Sequence, residues 1–347
     1  MNTVPYKFWQ SIAALLREPK QAQRASYVFS DALWTETLQT EWEKREYVDL
    51  ILRKQQGSSW QYGFECEQSF DGQTVSSDVI VSHPNLAHLR IEHIGIFDNP
   101  QYEGQELFEL KPSLADFVNS FRFMIPSSLP CLHNPKNIPP VLNIWGQFDE
   151  KTDEEIANVF HKIKFVDLFI KIYKPAFDPI LNTHLQKNWP LEVCTLGDSS
   201  IPSVFASSTM NILRCYFRES KVFSCLELFH NPPFPFADFE AIFENLLEMP
   251  FSFDQMADDE HVDEEFQMYD DLPRSYTIIE ANFDEDAEKQ LSEFRPDLVH
   301  QSDDSWSYPD YRTLNRWTKD DDTCIQAQVS KQHTNSWMIQ FIEVKKR

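Results

Sequence analysis

Few residues of this chain have both the type and the spacing that catalysis or metal binding requires. None of the patterns GxGxxG, GxxxxGK, GxSxG or HExxH occurs in it. The densest histidine group is His83, His88 and His93, spaced five and five. That spacing does not put the three rings on one face of a helix, and on a strand His88 and His93 point to opposite sides. We therefore expect structural histidines, with no catalytic, cofactor-binding or metal-binding residue.

The most highly charged segment runs from Asp254 to Asp271, with nine Asp or Glu residues and no Lys or Arg. It resembles a calcium loop only by charge, because it lacks the glycine and the regular alternation of ligands that an EF-hand requires. We expect residues 254–273 to form a solvated acidic loop, since the like charges repel one another. A docking site for a basic partner is the alternative.

Composition excludes several classes of partner. The 347 residues carry a net charge of −24, which argues against binding to nucleic acid and to an anionic membrane surface. No apolar run approaches the ~20 residues needed to cross a bilayer. The six cysteines form no CxxC pair and the N-terminus lacks a signal peptide, so we expect an intracellular protein, cytoplasmic or nuclear. The oligomeric state stays open.

Four strand–helix units between Val141 and Met249 must position any functional residues. The predicted strands are Val141–Gly146, Phe165–Tyr173, Leu191–Gly197 and Phe223–His230. The helix predicted after each strand is, in order, Asp149–Ile163, Phe177–Lys187, Ile201–Arg218 and Pro235–Met249. Strand centres 25, 25 and 32 residues apart lie in or just beyond the ~20–29 residue period of leucine-rich-type repeats. One helix in each step makes neighbouring strands parallel.

The predicted fold class is therefore α/β, an irregular leucine-rich-repeat-like strand–helix stack between two flanking parts. Nine apolar side chains of the repeats should lie inside: Leu142, Ile144, Val166, Leu168, Ile170, Leu191, Val193, Leu226 and Leu228. The organisation we predict is a helical segment 1–45, a mixed α/β segment 46–140, the repeats 141–253, the acidic loop 254–273 and a C-terminal α/β segment 274–347. The segment 46–140 includes a hairpin of Tyr47–Lys54 and Trp60–Gln68, and the C-terminal segment ends in a hairpin of Thr323–Lys331 and Ser336–Val344.

The N-terminal residues resemble the first helix of an F-box, in which Leu-Pro precedes apolar residues at helical spacing. Here Pro5 follows a valine, and Phe8, Ile12 and Leu16 follow it. Ser30 and Trp34 resemble the later Ser/Trp pair, at a separation of four where the motif usually has three. The resemblance implies that Pro5, Phe8, Ile12, Leu16 and Trp34 bind a Skp1-type adaptor of a ubiquitin ligase.

The whole chain resembles the F-box-like and leucine-rich-repeat-like families expanded in Caenorhabditis nematodes. Members begin Met-x-x-Val-Pro-x-x-Phe, continue through irregular strand–helix repeats and end in a Trp-bearing hairpin. The segment Arg316–Asp321 ahead of Cys324 is similar to that closing part. The resemblance implies a protein-binding scaffold that acts as a substrate adaptor. The alternatives are a repeat-built interaction or immune-type protein without a ligase link, and an enzyme of unknown type.

Overall fold

A computed structural model describes residues 46–98, 106–125, 140–248 and 279–345. Its internal gaps are 56, 67–72, 186–190, 192, 199–202, 220–224, 231, 284–289, 292, 304–312, 319–322 and 332–336. The chain divides into two compact units, Met1–Leu168 and Phe169–Arg347. The boundary falls inside the segment 141–253 that the sequence predicts as repeats. The acidic loop 254–273 and the F-box-like segment 1–45 lie outside the described residues.

Unit 1 is a mixed sheet with short helices between its strands. Its elements are β1 Glu46–Lys54, β2 Trp60–Glu65, β3 Thr74–Val75, α1 Ser77–Val81, β4 Leu89–Phe97, β5 Phe108–Glu109, α2 Leu114–Ser120, β6 Val141–Trp145 and α3 Glu150–Phe160. The strand order is β6-β4-β1-β2-β3, with β5 also on β2. The β1–β4 and β4–β6 pairs are parallel, and β1–β2 and β2–β3 are antiparallel.

Unit 2 continues the strand–helix alternation and then changes to antiparallel pairing. Its elements, from the strand at the boundary onward, are β7 Asp167–Ile170, α4 Asp178–Leu185, β8 Val193–Leu196, α5 Ser207–Glu219, β9 Cys225–Leu228, α6 Phe236–Glu248, β10 Ile279–Phe283, β11 Val299–Asp303, β12 Thr313–Thr318, β13 Thr323–Lys331 and β14 Trp337–Lys345. From β8 the order is β8-β9-β10-β14-β13-β12-β11. The β8–β9 and β9–β10 pairs are parallel, and the remaining pairs are antiparallel.

Local sequence explains where the helices begin. The Asp149 carboxylate accepts a hydrogen bond from the Thr152 N–H at 2.8 Å, and the Ser113 hydroxyl oxygen accepts one from the Asp116 N–H at 3.1 Å. Each side chain satisfies a backbone donor that the first helical turn leaves without an intrahelical partner. Asp149 and Ser113 are therefore the N-caps of α3 and α2.

The α/β class and the order of strands and helices are confirmed. The described antiparallel pairs all lie outside residues 141–249, the range in which neighbouring strands are predicted to be parallel, and the β8–β9 pair within that range is parallel. Every predicted repeat strand and helix is present, shorter by a few residues than predicted. Of the nine side chains predicted to lie inside, all but Val193 are buried. Val193 is half-buried because Cys194 and Leu196 take the inward positions of β8, and side chains alternate along a strand. The terminal hairpin is confirmed, because β13 and β14 pair in antiparallel fashion with Lys331 opposite Trp337.

Candidate functional site

One face of the unit 1 sheet is packed with aromatic rings. The rings of Tyr62 and Phe117 lie 4.5 Å apart between centroids, and those of Phe64 and Phe121 lie 4.9 Å apart. These residues belong to β2 and to α2 with the residue that follows it, so the helix covers this side of the sheet. Burial of such large rings is the main stabilising contribution on this face.

The opposite face of β1, β4 and β6 presents polar and aromatic side chains. Residues at paired positions of parallel strands point to the same side of a sheet. The register places Asp49, His93 and Val141 in one row, and Arg53, Phe97 and Trp145 in another. Ile51, Gly95 and Asn143 form the row between, and the apolar Ile51 and Val141 are buried. We call this surface the polar strand face, formed by Asp49, Arg53, His93, Phe97, Asn143 and Trp145.

Asp49 and His93 form an ion pair on the polar strand face. The His93 Nδ1 atom lies 2.8 Å from Asp49 Oδ1, and both side chains are nearly half exposed, at 43% and 46%. The hydrogen bond that the Asp49 carboxylate accepts from His93 raises the pKa of His93, against the opposing effect of burial. The negative charges of Asp49, Glu92 and Asp167 raise this pKa further. The pair is aligned by a register shift between Val48 and Asp49, which leaves Glu92 unpaired as a bulge.

The Arg53 guanidinium binds a neutral partner. Its Nε and Nη2 atoms both donate to Gln61 Oε1, at 2.8 and 2.6 Å. Among the residues that the structure describes, no carboxylate lies within ion-pair distance of Arg53. Gln61 orients the guanidinium and leaves its positive charge without a carboxylate in contact.

The aromatic side chains of the same row have different exposures. Trp145 is 49% exposed, and Phe97 is half-buried. A Cβ atom at Gly95 would overlap the Phe97 ring, so the glycine provides the space in which that ring lies over the strand. The Phe97 ring therefore lies over Gly95, and Phe97 is placed between the charged Arg53 and the exposed Trp145.

Unit 2 collects polar side chains just beyond the carboxyl ends of β7 to β9. Tyr173 follows β7 and His230 follows β9, whereas Ser203 and Thr209 lie in and after the connection to α5. Ser203, Thr209 and His230 are at most 5% exposed. With Asp178 at the start of α4, these five residues form what we call the buried polar cluster.

The side chains of the buried polar cluster bond to one another and to the backbone. The Tyr173 and Thr209 hydroxyls donate to Asp178 Oδ1 at 2.8 and 2.7 Å. The Tyr173 N–H donates to the Ser203 hydroxyl oxygen at 2.9 Å. Burial, reinforced by the neighbouring Asp178, raises the pKa of Tyr173 well above its ordinary value. The phenol therefore stays a neutral donor at physiological pH.

His230 joins the segment around Ser203 to the end of β9. The Phe205 N–H donates to its Nδ1 atom at 3.1 Å, and the Phe205 ring stacks on the imidazole with centroids 4.5 Å apart. The Ser203 carbonyl oxygen also lies 3.1 Å from Nδ1. Nδ1 can accept from the Phe205 N–H only when it carries no proton, and a protonated Nδ1 would donate to the Ser203 carbonyl oxygen instead. Burial lowers the pKa of His230, which favours the neutral ring.

The residue types of a hydrolytic triad meet in unit 2, but their arrangement does not follow triad geometry. A triad needs a histidine whose Nδ1–H is held by a carboxylate and whose other nitrogen faces the nucleophile. In this unit a backbone N–H occupies the Nδ1 atom of His230. Asp178 accepts from Tyr173 and Thr209, and Asp238 binds Arg214 through two hydrogen bonds of 2.8 and 3.0 Å. These contacts tie strands to helices.

Within the described ranges, no three His, Cys, Asp or Glu residues are grouped so that they could hold a metal ion. None of the helices that the structure describes has the length and apolar character needed to cross a membrane. The histidines predicted to be structural are engaged: His93 binds Asp49, and His83 accepts a hydrogen bond from the Asn85 N–H.

The structure does not describe the predicted partner-binding residues Pro5, Phe8, Ile12, Leu16 and Trp34. Sequence reasoning missed the polar strand face, because strands about 45 residues apart along the chain form it. The structure leaves about half of the Trp145 side chain exposed. Alternation along β6 supplied a signal, since Leu142 and Ile144 point inward and Trp145 must point outward.

Comparison of the chain with protein-family models, with characterised proteins and with solved structures finds no significant match.

Proposed function

We propose that this protein is a protein-binding scaffold that uses the polar strand face of unit 1 as its contact surface. The observation that supports the proposal is the row of Arg53, Phe97 and Trp145, in which the tryptophan is 49% exposed. Tryptophan and arginine are enriched among the residues that dominate binding energy in protein interfaces. An exposed Trp beside an Arg without a carboxylate partner is typical of a surface that is completed by another molecule.

The proposal includes the finer fold interpretation, an irregular strand–helix repeat stack over residues 141–249. The supporting evidence is the repeated burial of alternate strand residues, Leu168 and Ile170 in β7, Cys194 and Leu196 in β8, and Leu226 and Leu228 in β9. Stacked strand–helix units leave one face of their strands available to partners.

Affinity purification with two matched variants tests the scaffold function. Trp145→Ala should remove partner proteins that the wild-type chain retains, because it deletes the exposed aromatic surface of the row. Phe123→Ala is the control, since Phe123 is also exposed, at 57%, but follows α2 rather than lying in the row. Quantitative mass spectrometry compares the retained proteins. A partner set that is the same for all three chains would contradict the proposal.

A ligase-adaptor role is the more specific form of this proposal, and it comes from the F-box-like spacing of Pro5, Phe8, Ile12 and Leu16. Substitution of Phe8 and Ile12 by Asp should abolish co-purification of a Skp1-type adaptor, because two charges would enter an apolar contact. Circular dichroism should show that the repeats remain folded. Retention of the adaptor by the double variant, or its absence from the wild type, would leave only the interaction scaffold without a ligase link.

A further inference from the structure

We propose that the row of Arg53, Phe97 and Trp145 binds a partner segment in which an acidic side chain stands next to an apolar one. The inference rests on the proposed scaffold function and adds the chemistry of the partner. The chain as a whole carries a net charge of −24, whereas Arg53 gives this row a positive charge.

Arg53 is a cation that has no carboxylate partner among the described residues of a strongly acidic protein. The chain has 55 Asp and Glu residues against 31 Lys and Arg residues. The other described arginines with ion pairs bind carboxylates closely, as Arg214 binds Asp238 at 2.8 Å and Arg295 binds Glu244 at 2.7 Å. Arg53 donates only to the neutral Gln61 Oε1. A carboxylate from outside would add a charge-assisted hydrogen bond, about twice as strong as one between neutral groups.

The hydrogen bonds with Gln61 also orient Arg53 in advance. Nε donates one of the two bonds and Nη2 donates the other. The third nitrogen, Nη1, has no hydrogen-bond acceptor among the described residues. The planar guanidinium is restricted by the two bonds, which reduces the conformational entropy lost when a ligand binds. Gln61 therefore acts as a positioning residue, and Arg53 supplies the contact.

Trp145 and Phe97 provide the apolar half of the surface. Strands are separated by ~4.8 Å, so Arg53 and Trp145, two strands apart, are separated by ~10 Å across the sheet. A peptide crossing the strands can place a carboxylate over Arg53 and an apolar side chain against Trp145. Phe97 forms the floor between them, because its ring lies over Gly95.

Long-range electrostatics oppose rather than favour this partner. A net charge of −24 repels an acidic peptide at distances beyond contact. Binding of such a peptide therefore cannot result from general attraction to the protein and requires a local cation. This property makes the inference testable with neighbouring residues of the same charge.

The test selects a random peptide display library on the full-length protein and then measures a synthetic consensus peptide by fluorescence anisotropy. Selected peptides should combine Asp or Glu with a neighbouring apolar residue. Arg53→Gln should weaken binding of the consensus peptide by about tenfold, the equivalent of one charge-assisted hydrogen bond. Trp145→Ala should weaken it comparably. A version of the peptide with Gln in place of Glu should bind the wild type and Arg53→Gln with the same affinity.

Lys54→Gln is the matched control. Lys54 is adjacent to Arg53, so its side chain lies on the other face of β1, where its Nζ atom is 5.6 Å from the centre of the Trp60 ring. The Lys54→Gln substitution removes one positive charge, as Arg53→Gln does, and should leave the affinity for the peptide unchanged. Equal losses in Lys54→Gln and Arg53→Gln, or selected peptides without acidic residues, would overturn the inference. If the selected peptides need Trp145 but lack acidic residues, the inferred partner chemistry is wrong and the scaffold function stands. If the selected peptides bind equally well without Trp145, both the partner chemistry and the scaffold function are contradicted.

Discussion

The polar strand face of unit 1 and the buried polar cluster of unit 2 are built on the same kind of strand, with different results. In unit 1, Asp49, Arg53 and His93 remain partly accessible at the surface of parallel strands. In unit 2, Ser203 and His230 are buried at the strand ends and hydrogen-bonded within the chain. The two regions contain similar residue types. They differ in whether the polar side chains are accessible to solvent and in whether their hydrogen bonds are made within the chain.

Two tryptophans of opposite exposure, one in each unit, make the comparison quantitative. Trp317 is fully buried, its Nε1 atom donates to the Phe294 carbonyl oxygen at 3.3 Å, and its ring packs on Phe243 with centroids 5.1 Å apart. Trp317→Ala should lower the free energy of unfolding by about 3–5 kcal/mol, because it leaves a large cavity. Trp145→Ala should cost less than about 1 kcal/mol. Urea unfolding followed by circular dichroism measures both, and similar losses would contradict the distinction.

Two glycines with positive φ provide the next largest contrast. Gly197 follows β8 with φ of 93°, and a Cβ atom there would lie 2.5 Å from the Phe229 carbonyl oxygen. Gly197→Ala should therefore destabilise the protein by about 3 kcal/mol, as left-handed strain and displacement of the Phe229 backbone combine. Gly57, with φ of 75°, has open space around it. Its replacement by Ala should cost only the strain, about 1 kcal/mol. Thermal unfolding of both variants checks the order, and an equal cost would be unexpected.

The two histidines should give pH dependences of opposite sign, with the smallest effects. The pKa of His93 is raised, so its contribution to stability is present below the ordinary value of 6.5 and is lost as the pH rises through the folded-state pKa. The pKa of His230 is lowered, so the unfolded chain binds the proton first. Stability from His230 is present above 6.5 and is lost as the pH falls from 6.5 through the folded-state pKa.

Histidine proton resonances, assigned with His93→Gln and His230→Gln, measure these titrations between about pH 5 and 8. His93 should titrate above 6.5 and His230 below it. The stability difference between the wild type and His93→Gln should grow on acidification, and that between the wild type and His230→Gln should shrink. Shifts in the same direction for both rings would contradict the environments described for them.

Local patterns predicted most of the strand–helix order, because it depends on nearby residues. Apolar residues at the alternate positions Leu142 and Ile144 indicate β6, and Ser113, a residue type that often caps helices, indicates the start of α2. Contacts between distant residues left no such signal. Nothing close in sequence indicates that Arg53 adjoins Phe97 and Phe97 adjoins Trp145, since their register depends on pairing of separate strands. The environment of His230 likewise depends on Phe205, 25 residues earlier.

The strand order of unit 2 has a consequence for protein synthesis. The last strand, β14, lies between β10 and β13, so β10 has one edge unpaired until residues up to Lys345 have left the ribosome. The strands β1, β2, β4 and β6 of unit 1 are complete once Trp145 has emerged. The 62 residues that follow Phe283, up to Lys345, take roughly 3–12 s to translate at roughly 5–20 residues per second. During that interval the nascent chain presents the free edge of β10 to chaperones and to other chains.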